Sequence, residues 1–138
     1  MSPQMPHTAI LTCMDARLDA VGFLDEWPNT AHVVRNAGGR ATDDALRSLA
    51  VSCAMGIERV MIVHHTDCAM AKHTGEEIRE LLPQGAESEI DFLTIDDPLR
   101  ALAQDVQAVR DCELLPADTQ VRAFIYDLDL QAAGEVEI

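Results

Sequence analysis

The sequence predicts an α/β fold with a mostly parallel central β-sheet of four to five strands flanked by helices. Short apolar, β-prone runs alternate with helical patterns along the chain, which is the layout of such folds. The runs are continuous rather than alternating, as expected of strands covered on both faces. The 138 residues, 48% apolar and 25% charged, suit one domain with one hydrophobic core spanning 1–138.

The first strand is predicted at Thr8 to Thr12, and a short helical pattern follows Arg17. A second strand is expected at Ala31 to Val34. The next element is a helix: Thr42 is placed to cap it, and Asp43 and Asp44 put negative charge in its first turn, where the helix dipole favours it. Leu46, Leu49, Ala50 and Cys53 recur on one face, and Gly56 is expected just past its end. Arg59 to Val63 is the strongest strand signal, with a further helical pattern after Gly75. The irregular, acidic stretch from Pro83 to Asp97 reads as a surface loop. A helix is expected from Pro98 to Arg110, with Leu99, Leu102, Val106 and Val109 facing inward, and a fourth strand over Val121 to Tyr126.

The formal charge of -14, from 24 acidic and 10 basic residues, opposes binding to nucleic acid, because phosphate contacts need clustered cations. No apolar run approaches the ~18 residues of a membrane span, and the first ten residues lack a signal-peptide pattern. The expectation is a cytoplasmic protein. In that setting four cysteines point to metal binding, chemistry or packing rather than disulfides.

Cys13 falls at the carboxyl end of the first strand, and His65 and Cys68 at the end of the third, spaced His-x-x-Cys. Carboxyl ends of strands are where open α/β sheets place their sites. Two thiolates and an imidazole suit zinc and leave a fourth position open, whereas calcium and magnesium prefer oxygen. Spacing alone leaves a second reading open, in which both cysteines pack and His65 is a hydrogen-bonded loop residue. Asp15 and Arg17 lie just beyond Cys13, where a guanidinium can hold a carboxylate ionised and off a metal. Their alternative is an ordinary surface ion pair.

ILTCMDARLD, HVVRNAGG and TDDALRSLAVSCAMGIERVMIVHHTDCAM, in that order over about residues 8 to 75, resemble the β-class carbonic anhydrases. The combination of Cys-x-Asp-x-Arg, Arg-Asn-Ala-Gly and His-x-x-Cys is specific. The resemblance implies one zinc per chain on Cys13, His65 and Cys68, and Asp15 and Arg17 as a catalytic dyad. It implies hydration of carbon dioxide to bicarbonate by a zinc-held hydroxide, with Asp15 replacing water in the inactive state of some members. It also implies that Gly38 and Gly39 line the substrate site, and that the protein is a homodimer or dimer of dimers. Ala69 stands where the family usually has Gly, and the pocket is expected to be aliphatic, since the aromatic residues of plant-type members have no counterparts. Gln4 lies where some members have a substrate-reaching Gln. His32, His64 and His73 are candidate proton carriers by residue type. Cys53, Cys112 and Trp27 read as packing residues. The rival functions are hydrolysis of carbon disulfide or carbonyl sulfide, and a catalytically silent zinc-binding homologue.

Overall fold

The computed structural model describes residues 7–18, 31–83 and 90–138. Gln4, Trp27 and the helical pattern after Arg17 lie outside them.

Five strands form one sheet in the order β2-β1-β3-β4-β5: β1 (Thr8–Cys13), β2 (His32–Asn36), β3 (Arg59–His65), β4 (Gln120–Asp127) and β5 (Ala132–Val136). The first four run parallel, and β5 pairs antiparallel with β4. β1 is buried at every position and β3 at all but its first, in keeping with continuous apolar runs at the centre of a parallel sheet. A buried bond from Thr12 Oγ1 to the Val63 carbonyl, 2.8 Å, fastens the ends of β1 and β3 together.

Alternate residues of β1 and β3 divide between two packing layers. Ala9, Leu11, Val60 and Ile62 pack against Leu49 and Cys53 of α1 (Asp43–Ala54) and Leu102, Val106 and Val109 of α4 (Pro98–Asp111). Ile10, Met61, Val63 and Phe124 form the layer on the opposite face. Burying each large aliphatic side chain contributes about 1.5–3 kcal/mol. The helix α1 begins as expected: Thr42 Oγ1 accepts from the Ala45 amide at 3.2 Å, and Gly56 follows the helix with φ +111°. The capping box of α3 (Gly75–Leu81) pairs Thr74 with Glu77, and the short helix α2 (Ala69–Lys72) precedes it.

Two expectations need correction. Leu99 is 57% exposed rather than inward-facing, because in the first turn of α4 it is Ala101 that packs with the site loops. The stretch 90–97 is also more than a surface loop. Ile95 is buried against Cys13 and Cys68, and its amide donates to the Met70 carbonyl at 2.8 Å.

Candidate metal centre

The three donor residues meet where β1 and β3 end. Cys13 is the last residue of β1, His65 the last of β3, and Cys68 follows a two-residue turn and precedes α2. Asp67 in that turn adopts φ +56°, and the turn is held by bonds from the Thr66 amide to the Tyr126 carbonyl (2.9 Å) and from the Leu128 amide to Thr66 Oγ1 (3.0 Å). The ligand atoms of Cys13, His65 and Cys68 lie within 4.8 Å of one another, and all three residues are buried. Leu18, Ile95 and Ala101 close an apolar shell around the sulfurs, with Met70, Tyr126 and Leu128 against it.

The imidazole is oriented for ligation. His65 Nδ1 lies 2.6 Å from the Thr66 carbonyl, an acceptor only, so Nδ1 carries the proton and donates. That leaves the lone pair on Nε2, which is buried without a hydrogen-bond partner. A buried, unpartnered nitrogen facing two sulfurs is costly unless a cation takes its lone pair. The donor set therefore fits a metal ion, and two thiols with one imidazole fit zinc.

A hydrogen bond between the Cys13 and Cys68 sulfurs moves the two thiols in opposite directions. The hydrogen bond from the Cys68 thiol lowers the Cys13 thiol, against burial, with help from His65 and the Asp15 and Gly38 amides. The same bond, together with burial, pushes the Cys68 thiol up, while the Met70 and Ala71 amides aimed at its sulfur pull the other way. Burial pulls His65 down most strongly, but the nearby Cys13 sulfur, the Thr66 carbonyl and the charges of Cys13 and Asp15 together raise it above its ordinary value. A divalent cation would take the place of these protons.

Asp15 and Arg17 form a two-pronged pair rather than a loose surface contact. Arg17 Nη2 reaches Asp15 Oδ2 at 2.7 Å, Nε reaches Oδ1 at 3.0 Å, and the Arg17 amide reaches Oδ1 at 2.8 Å. These bonds hold the Asp15 carboxyl well below the usual carboxylate range. Asp15 Oδ2 stands 4.0 Å from His65 Nε2. Arg17 is itself held from the other side, by Asp67 Oδ2 at 2.9 Å and the Asp67 carbonyl at 3.1 Å, and Lys72 pairs with Asp67 in turn.

The turn Ala37–Gly39 borders Cys13. The Gly38 amide approaches Cys13 Sγ at 3.4 Å, and Gly39, at φ +66°, lies so close that a Cβ there would sit 2.8 Å from the Thr12 carbonyl carbon. Asn36 closes the turn by exchanging bonds of 2.8 Å with the Arg40 backbone.

Sequence reasoning missed a buried network on the other side of β3. Asp105 Oδ2 accepts from Arg40 Nε and His64 Nε2, each at 2.8 Å, and Oδ1 accepts from the Ala41 amide at 3.0 Å. Arg40 also donates to the Leu93 carbonyl at 2.8 Å and to Gln104 Oε1 at 3.2 Å. An acidic residue on the apolar face of α4, between Leu102 and Val106, was the available signal. The other histidines are placed elsewhere: His32 Nδ1 bonds Ser52 Oγ at 2.9 Å, and exposed His73 lies 3.6 Å from Glu77. Cys53 is buried in the core and Cys112 half-buried against it, and all four cysteines are free.

The carbonic anhydrase family model matches residues 8–126. The chain is 32% identical over 137 residues to beta-carbonic anhydrase 1 of Mycobacterium tuberculosis, covering 97% of this chain and 84% of that protein. It is 32% identical over 147 residues to a carbon disulfide hydrolase of Acidianus sp., covering 87% and 72%. The solved carbonic anhydrase of Streptococcus mutans superposes with a TM-score of 0.87 at 34% identity, covering 99% of this chain and 88% of that one. With its sheet, its Cys-His-Cys donors and these likenesses together, the chain belongs to the β-carbonic anhydrase family.

Proposed function

We propose that this chain catalyses the reversible hydration of carbon dioxide to bicarbonate at one zinc ion held by Cys13, His65 and Cys68. The observation that carries the reading is the unpartnered His65 Nε2, buried between two thiols with an Arg-locked carboxylate 4.0 Å away. Zinc in such a site supplies a Lewis acid that makes water a usable nucleophile near neutral pH.

The chain's own residues do the rest. The Thr66 carbonyl keeps the His65 proton on Nδ1, so in the neutral ring the Nε2 lone pair is available to the metal. Asp15, held ionised by Arg17, accepts a hydrogen bond from the nucleophilic water and aims its oxygen lone pair at the carbon of CO2. Arg17 occupies most of the carboxylate's lone pairs, which leaves room for the water's hydrogen bond and opposes binding of Asp15 to the metal. The new bond joins the water oxygen to carbon, one proton passes to solvent, and bicarbonate departs. Gly38 and Gly39 line the approach, and Leu18, Ile95, Ala101, Met70 and Leu128 make the surround mainly aliphatic, with Tyr126 its one aromatic member among the described residues.

Stopped-flow hydration of CO2 tests this on protein of known zinc content. Rapid hydration is expected at one zinc per chain, lost in Cys68→Ser together with the metal. In Asp15→Ala it falls by about 10²–10⁴-fold with the metal kept. Full zinc occupancy without hydration in the parent protein refutes the reading.

The likeness to a carbon disulfide hydrolase supports a second reading, in which the same site hydrolyses a sulfur analogue of CO2. Competition between CO2 and carbon disulfide separates the two. Four free cysteines, two of them at the site, support a reducing compartment such as the cytoplasm. A homodimer or dimer of dimers completes the proposal. Edge strand β2, with Val33 exposed, and exposed Met14 beside Cys13 offer surface for such a contact, which light scattering tests. Among the described residues, no helix is long and apolar enough to cross a membrane.

A further inference from the structure

β1 stops being a strand at Cys13, but the chain must still carry Asp15 to a fixed place beside His65. The last ladder-like bond runs from the Met14 amide to the Asn36 carbonyl at 2.7 Å. Beyond it, the bonds seen so far hold the loop mostly to itself. Arg17 grips Asp15 two residues away, and the Leu18 amide donates to the Asp15 carbonyl at 3.1 Å. Bonds of that kind travel with the loop and cannot fix it to the sheet. The Arg17–Asp67 pair joins the loop only to another loop, and it is half exposed.

The frame is supplied by Arg35. Its backbone lies in β2, in register with Thr12, and its side chain extends along the loop that leaves β1. Arg35 Nε donates to the Cys13 carbonyl at 2.9 Å, Nη2 to the Asp15 carbonyl at 2.6 Å, and Nη1 to the Leu18 carbonyl at 3.3 Å. One planar guanidinium therefore binds three carbonyls of a single turn, at the thiolate residue, at the carboxylate residue and at the turn's exit. A fork of fixed geometry does this, whereas a lysine ammonium is a point donor.

We propose that Arg35 is a positioning residue, a backbone clamp that fixes the Cys13 sulfur and the Asp15 carboxylate relative to each other and to the metal. It touches neither substrate nor reacting atoms. The proposal deepens the reading of this site as a zinc-dependent hydratase and rests on it only for the choice of substrate. With the clamp removed, the loop keeps its internal bonds but gains freedom relative to β2, so Asp15 loses its fixed distance from the metal position.

The test uses the full chain loaded with zinc for kinetics, and with cobalt(II) for visible spectroscopy of the ligand field. Arg35→Ala and Arg35→Lys are compared with the parent and with Arg47→Ala, whose exposed pair with Asp44 lies on α1. Both Arg35 variants are expected to bind one metal ion. Their cobalt spectra should differ from the parent's, and kcat/KM should fall by about 10–100-fold in Arg35→Ala, as for other residues that orient metal-site groups. Arg35→Lys should recover only part of the loss, and Arg47→Ala should match the parent in both measurements. Where Arg35→Ala does not fold, Arg35→Lys carries the comparison. An unaltered cobalt spectrum, or an altered one with undiminished kcat/KM, overturns the proposal. If the parent does not hydrate CO2, the functional reading fails on its own account. The spectrum then still decides the clamp, with carbon disulfide as the kinetic substrate.

Discussion

Replacing Gly39 with alanine tests how tightly the turn after β2 is pressed on the end of β1. Gly39 has φ +66°, a conformation that costs an L-residue about 1–2 kcal/mol. An added Cβ would also meet Thr12 C at 2.8 Å, Cys13 N at 2.9 Å and Thr12 Cα at 3.0 Å. All three are backbone atoms of a fully buried strand, so neither side can yield without shifting β1. Overpacking of this kind costs about 1–3 kcal/mol, which gives a total of about 2–5 kcal/mol. For a chain of this size each kcal/mol lowers Tm by about 3–5 °C, so Gly39→Ala should melt about 6–25 °C below the parent.

Gly38→Ala is the matched control. Its φ is also positive, at +87°, but the atoms nearest its Cβ would belong to the Arg40 and Met70 side chains, at 3.3–3.4 Å. Those side chains can move by a few tenths of an ångström, so the cost should stay near that of the backbone strain alone, about 1–2 kcal/mol. The assay is thermal melting and urea denaturation of both variants at equal, measured metal content, because bound metal adds its own stability. The refuting result is equal destabilisation by the two substitutions. That outcome would mean that the close approach to Thr12 and Cys13 relaxes at no cost.

Three further outcomes follow from the geometry and the ligand chemistry. Asp105→Ala leaves the 4%-exposed Arg40 without its carboxylate and should cost about 3–5 kcal/mol in the same denaturation assay; a loss no larger than that of an exposed ion pair would show that the network is incidental. The hydrogen bonds from Arg17 lower the folded-state pKa of Asp15, so its contribution to stability is complete above the ordinary carboxylate pKa of about 4 and is lost only as pH falls through the lower folded value. Asp15 therefore stays ionised over the working range and contributes no acid limb there. Two anionic thiolates also make the metal less acidic than three imidazoles would, so hydration should rise from about pH 7 to about pH 9, and a steady fall over that range would contradict this.

Much of the sheet was legible because its central strands are buried on both faces and read as unbroken apolar runs. Cys13, His65 and Cys68 could be placed together because each falls at or just after a strand's carboxyl end. β5 could not be foreseen. Ala132–Val136 contains Gly134 and Glu135, has no buried residue, and owes its form to pairing with β4 rather than to its own pattern. Ile95 was hidden for a related reason, since nothing in an irregular acidic stretch marks one residue as packing on two sulfurs. Asp67, Arg35 and Arg40 act through polar side chains whose partners lie far away in sequence or on backbone carbonyls. Periodicity carries no information about such bonds.

The position of Asp105 also bears on how the protein is made. A ribosome releases Cys13, His65 and Cys68 well before it releases residue 105, so the donors exist in the nascent chain before the carboxylate that ties residues 40, 41 and 64 together. Until α4 emerges and docks, Ala101 and Ile95 cannot roof the sulfurs, and the cysteines stand open to any thiophilic metal or oxidant in the cell. The order of synthesis thus sets an interval in which the three donors are present but neither held in place nor covered. It ends only when the last third of the chain folds.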